Sequence, residues 1–276
     1  MLGSPLLAHT RAAQYTPIGE HVYDTPGTYT FTVPDFVTSV SVVCVGSGGQ
    51  GYNHNFYHGG GGGALAYTNN IAVTPGQQIT VVVGNNTRQL DDGDSSFGSF
   101  CVAGGGGKYN ADPLYSNSVS GVQRGGEVIV GDGGGAGGHG GFASGGGAGG
   151  YSGKGGNGGE DFGQDGAGGG GGGGSSFDQG NDNSHGGGGV GLYGEGSSGQ
   201  GGVYQSPGNP NGGGGSGAIT LVDTLQGGLF GGGAAIEPNN FGGKNGHGAV
   251  RVVWPGAGRE FPTFRVGTVR GTYANN

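Results

Sequence analysis

Residues 136–159 repeat with a period of three. Ala136, His139, Phe142, Gly145, Ala148, Tyr151, Lys154 and Asn157 take every third place, and the positions between them are glycine except Ala143, Ser144 and Ser152. Glycine has no side chain to bury, so a segment this bare cannot stabilise an amphipathic helix or a pleated strand. Three residues per turn is instead the repeat of the left-handed polyproline-II-type conformation. Collagen shares that repeat but carries one glycine per triplet and much proline, whereas this run has no proline. The pattern predicts polyglycine-II helices packed side by side, joined by backbone N–H···O=C bonds and CαH···O contacts.

An isolated polyglycine segment does not order, because glycine loses more entropy on folding than any other residue. Disorder of residues 125–217 is therefore the competing expectation. Two features oppose it. The 80 glycines are concentrated, with 44 of the 87 residues in 131–217 being glycine. The flanks of that block also read as ordinary β-protein.

In GTYTFTV (27–33), Tyr29, Phe31 and Val33 share one face and three threonines the other. SVSVVCVG (39–46) is nearly continuous and predicts a strand buried on both faces. GALAYT (63–68), ITVVV (79–83) and SSFGSFCV (95–102) follow, with Thr25-Pro26-Gly27 and Thr74-Pro75-Gly76 suited to type II turns. After the glycine block come AITLV (218–222) and AVRVVW (249–254), the latter with Val250, Val252 and Trp254 on one face. The fold expected is all-β: an antiparallel β-sandwich with an inserted bundle of polyglycine-II helices and little or no α-helix. Residues 17–124 and 218–255 would form the sandwich and 125–217 the insert. Residues 1–16 would be an N-terminal arm and 256–276 a C-terminal tail. Strand 249–254 would close the sheet beside 39–46.

The formal net charge is −8 with ten basic residues, which argues against a nucleic-acid partner. No apolar run is long enough to span a bilayer, so membrane insertion is not expected. The N-terminal residues lack a basic n-region and a full apolar stretch, so no signal peptide is expected. Cys44 and Cys101 sit in apolar strand-like runs and read as buried free thiols. His54 and His58 lack the further ligands of a metal site. Asp91, Asp92 and Asp94 lack the glutamate that would complete a calcium loop. With no phosphate loop, nucleophile motif or carboxylate pair in an apolar setting, neither an enzyme nor a cofactor is expected.

The glycine block is interrupted by segments of another kind: 108–120, 152–157, 160–165, 175–185, 192–200 and 203–211 combine aromatic, Asn, Asp, Ser and Gln residues. Such a mixture supplies rigid contact area and adaptable hydrogen bonds, the makings of a recognition surface. Loops on a rigid scaffold are a common place for binding function. If the glycine runs are helices, the interruptions are turns collected at the bundle's two ends. Tyr109, Tyr115, Phe142, Tyr151, Phe162, Phe177, His185, Tyr193 and Tyr204 are the candidate receptor-binding residues. The alternative for each aromatic is to fold back and cap the bundle.

GTYTFTVPDFVTSVSVVCVGSGG, GGGGGALAYTNNIAVTPGQQITVVVG, DSSFGSFCVAGGGG and GAVRVVWPG followed by REFP together resemble a glycine-rich domain of tail fibre and tail-tip virion proteins of tailed bacteriophages. With the glycine block they cover about residues 25–262. The alternation of glycine runs with polar-aromatic segments is also similar, by pattern, to the adhesins at the tips of T-even-like long tail fibres. In those, polyglycine-II helices present distal loops to host receptors. The resemblance implies a virion adhesin that binds a host surface protein or glycan, contacts other tail or fibre proteins, and is made in the host cytoplasm. Fibre shafts are commonly trimers, so it allows a homotrimer, although no heptads here would drive one. A structural tail-tip, fibre-joint or decoration component is the alternative. An ice-binding role is disfavoured by the mixed side chains at the third positions.

Overall fold

A computed structural model of the chain describes residues 16–53, 57–85, 93–107, 123–176, 184–203, 212–218, 225–236 and 243–264. Fourteen strands occur among them: β1 Gly19–Tyr23, β2 Gly27–Thr32, β3 Ser39–Val45, β4 Tyr52–Asn53, β5 Tyr57–His58, β6 Leu65–Ala72, β7 Gln78–Val83, β8 Ser95–Phe97, β9 Cys101–Ala103, β10 Val128–Val130, β11 Gly133–Gly135, β12 Gly159–Glu160, β13 Ser175–Ser176 and β14 Ala249–Trp254. No α-helix occurs among the described residues. Two five-stranded antiparallel sheets carry the fold, sheet A in the order β1-β14-β3-β6-β11 and sheet B in the order β10-β9-β8-β7-β2.

The strand periodicity explains the packing. Alternate residues of β3 face opposite ways: Val40, Val42 and Cys44 enter the core between the sheets, while Val43 and Val45 enter a second core on the other face of sheet A. Strand β14 pairs with β3, Val252 opposite Val42, and divides in the same manner, with Val250 and Val252 inward. Phe31 from β2 and Val33 just after it, Ile79 and Val81 from β7, and Phe97 from β8 are also in the intersheet core. Gly76 takes φ +78° in the turn after Pro75, where Gln77 N–H donates to the Thr74 carbonyl. Strands β10 and β11 lie beyond the boundary expected at residue 125, and carry the chain from the edge of sheet B to the edge of sheet A. Of the strand expected at 218–222, all but Ala218 lies outside the described residues.

The glycine segments form a hydrogen-bonded lattice with the predicted period of three. Gly145 and Ala148 donate to His185 and Gly188; Gly146 and Gly149 donate to Gly60 and Gly63; Gly147 and Gly150 donate to Gly156 and Gly153. Residues three apart thus bond to one neighbouring segment, and each residue of a turn bonds to a different one. That is how a three-residue turn directs its amides. In return, Gly174 and Gly171 donate to the carbonyls of residues 145 and 148, Gly233 to Gly146 and Gly138 to Gly147. Six segments therefore surround 145–150. The cost of ordering glycine is offset because nearly every amide of the run has a partner.

The lattice also recruits glycines from outside 125–217. The β3–β6 ladder continues past Val45 as Gly46 N–H to the Ala64 carbonyl and Gly49 N–H to the Gly61 carbonyl. Residues 104–107, 225–236 and 243–248 are bonded in as well. At the lattice edge, side chains accept from outward amides: His139 Nδ1 from Gly125, Asn157 Oδ1 from His139, and Asp165 Oδ1 from Gly201. The lattice packs on sheet A through Ala148, Tyr151, Val190, Leu192 and Phe230, which meet Val43, Val45, Leu65 and Val253 in the second core.

Candidate functional site

Because the chain shuttles between sheet A and the far side of the lattice, its turns fall into two groups. The proximal turns, 151–153, 168–169, 191–198 and 229–231, lie toward the sheets. The distal turns lie where 141–144 meets Gly59, Ser176 and Ile236. There Gly59 donates to Gly141, Ser176 Oγ to the Phe142 carbonyl, and Ile236 N–H to Ala143.

The distal end holds the described residues that flank several of the polar-aromatic interruptions. Gly107 is bonded to Arg124, His185 to Ser175, Gly212 to Gly186, and Gly243 to Ala235. Tyr52 pairs with His58, and Phe162 with Val203. The described residues flanking 54–56, 108–122, 177–183, 204–211 and 237–242 therefore sit together at this end. Tyr109, Tyr115, Phe177 and Tyr204 fall within those intervals and lie outside the described residues.

Among the described candidates, Phe162 is 65% exposed on a distal turn. It follows Asp161, whose φ of +62° is a left-handed conformation uncommon for a non-glycine residue. Phe142 is half-buried at the same end, in a bridge with His58. Glu160 and Asp161 are exposed beside Phe162 and give this edge negative charge.

Two candidates turn inward. Tyr151 is 1% exposed in the second core, stacked against Phe261 with centroids 6.0 Å apart. Its hydroxyl donates to the Gly191 carbonyl at 3.2 Å and accepts from Gly194 N–H at 3.1 Å. Burial pushes its pKa well above the usual phenol value, against the Gly194 bond and the Arg251 charge. Tyr151 thus joins the lattice to sheet A, because the third-position side chain nearest the sheet meets an apolar face. His185 is 4% exposed, its Nδ1 2.9 Å from the Ser175 carbonyl, and burial lowers its pKa. Both belong to the scaffold rather than to an accessible contact surface.

Tyr193 is 41% exposed but lies on a proximal turn, over Arg251. Arg251 is a site residue outside the candidates that the sequence offers. It is fully buried on β14, donates through Nε and Nη2 to Glu20 Oε2 and through Nη1 to the Leu192 carbonyl, and lies near the rings of Tyr193, Phe261 and Phe264. A cation amid the apolar alternation of AVRVVW was the available signal. The segment carrying Phe261 is held by Asn69, whose Nδ2 donates to the Phe261 carbonyl while its Oδ1 accepts from the Phe261 amide.

No group of three or more His, Cys, Asp or Glu side chains able to hold a metal ion occurs among the described residues. No helix there is long and apolar enough to cross a membrane. The sequence profile of the glycine-rich domain family matches residues 24–255, spanning both the sheets and the lattice. The chain belongs to the glycine-rich domain family. In this glycine-rich domain the match begins at residue 24, after β1, and runs through the other strands of both sheets and the lattice to just beyond β14. No curated protein matches the chain.

Proposed function

We propose that this glycine-rich domain is a non-catalytic adhesin of a tailed-phage tail fibre or tail tip, and that the distal end of its lattice binds a host surface protein or glycan. The observation that supports this reading is the exposed Phe162 at the end of the lattice remote from the sheets, where the described flanks of several polar-aromatic segments also meet. A lattice whose amides are bonded in three directions is a rigid platform, and exposed aromatics with small polar neighbours on such a platform suit recognition. Phe162 would contact the receptor directly, with Phe142 beside it. Tyr109, Tyr115, Phe177 and Tyr204 are proposed contacts from the segments joined to that end. The sheets would face the virion, where other tail or fibre proteins dock.

A structural virion component is the second reading. It is favoured by the exposure of large apolar residues on the sandwich, Phe36 and Ile129 among them. One experiment separates the two. Labelled protein is titrated onto intact cells of the phage's host, with Phe162→Ala and with residues 177–183 and 204–211 scrambled. An adhesin binds saturably and loses binding in these variants; a structural component binds in none of its forms.

A further inference from the structure

The intersheet core holds two cysteines that no other feature of the fold uses. Cys44 lies on β3 of sheet A and Cys101 on β9 of sheet B, both fully buried and both free. The Cys44 Sγ points at the carbonyl oxygen of Cys101, 3.7 Å away. The Cys101 Sγ points at the carbonyl oxygen of Ala66, 3.4 Å away. Ala66 is the residue directly opposite Cys44 in the β3–β6 ladder. Each sulfur therefore reaches across the gap to the strand pair that carries the other. Since β3 and β9 lie in different sheets, a covalent link here would clamp the sandwich through its centre.

We propose that Cys44 and Cys101 close an intersheet disulfide when the chain is exposed to a small-molecule disulfide such as oxidised glutathione. The thiolate of one cysteine attacks a glutathione sulfur, forming a mixed disulfide and releasing one glutathione thiolate. The second cysteine thiolate then attacks the protein-side sulfur of the mixed disulfide and displaces the second glutathione. The protein loses two electrons and two protons, and oxidised glutathione becomes two reduced glutathione molecules. Burial raises the Cys44 thiol well above its ordinary pKa, with the Cys101 thiol adding to the rise, and both sulfurs are closed off from solvent, so the bond closes when the sheets part. The cysteines are 57 residues apart, so the bond would remove substantial entropy from the unfolded chain.

The test equilibrates the full chain with a glutathione redox buffer at its urea midpoint, where every molecule opens and recloses. Free thiols are then alkylated with iodoacetamide. The account expects a monomer lighter by two hydrogen atoms, no alkylation, a Cys44–Cys101 cross-linked peptide, and a melting midpoint raised by on the order of 10 °C. The Cys101→Ala variant, treated alike, should carry glutathione on Cys44 in proportion to the buffer's oxidised glutathione, because the intramolecular thiol that would displace it is gone and only reduced glutathione can remove it. Alkylation of both cysteines in the wild-type chain, persistent glutathione adducts on it, or a cross-linked form that melts below the reduced one would overturn the proposal.

Discussion

The guanidinium carbon of Arg251 lies 4.4 Å from the centroid of the Tyr193 ring, while Nη2 of the same group donates to Glu20 Oε2 at 2.6 Å. A cation on a central strand is thereby roofed by an aromatic from a lattice turn and neutralised by a carboxylate from the edge strand β1. Three parts of the chain, residues 20, 193 and 251, meet at one charge.

Arg251→Ala should destabilise the fold by about 2–4 kcal/mol, because it empties a site beneath three rings and strips the Leu192 carbonyl of its donor. Glu20→Gln should cost less, since the Glu20 side chain is 35% exposed and water compensates. Urea unfolding of both variants checks the order.

Gly147→Ala should cost about 2–4 kcal/mol. A Cβ at Gly147 would press into the Gly171 carbonyl, part of a backbone that cannot give way without breaking lattice bonds. Ala148→Gly, one position along, should cost only about 1 kcal/mol, because it removes a single buried methyl. Equal losses in the two variants would speak against the lattice.

Tyr151→Phe should lower stability by about 1–3 kcal/mol, leaving the Gly194 amide and Gly191 carbonyl without their phenol partner. Binding to cells should not change, since the residue is interior. Chemical denaturation and cell titration of the same preparation distinguish scaffold from contact.

Acid should weaken the fold through His185. Its folded pKa is depressed by burial below the unfolded value of about 6.5, so the unfolded chain takes the proton first as pH falls. Its contribution is complete above that value. Below it, the contribution falls by at most about 1.4 kcal/mol per pH unit until the folded form also protonates. His58 and His139, lowered chiefly by burial, act with the same sign. His185→Asn should flatten the fall in unfolding free energy between pH 7.5 and pH 5.5.

Much of this fold was legible in the chain. The double-sided burial of 39–46 follows from its continuous apolar run and the inward face of Val250 and Val252 from alternation, and β14 pairs with β3 as expected. The period of three in 136–159 pointed to the lattice, since a glycine-rich turn of three residues aims amides three apart at one neighbour. Strand β11 was hidden because 133–135 is glycine only, and pairs with β6 through its backbone. The inward turn of Tyr151 was hidden for a related reason: a period of three says which residues share a face, not which face meets sheet A. The proximal place of Tyr193 depends on how many times the chain crosses the lattice, which composition does not count.

Cell binding with paired substitutions at the two ends of the lattice tests the proposed function most directly. Labelled wild-type protein, Phe162→Ala, the chain scrambled at 177–183 and 204–211, and Tyr193→Ala are titrated onto intact host cells, with unlabelled protein as competitor. The account predicts saturable, competed binding by the wild type and by Tyr193→Ala, at least ~10-fold weaker binding by Phe162→Ala, and none by the scrambled chain. Wild-type affinity in every distal variant, with loss only on changing Tyr193, would place recognition beside the sheets and contradict it.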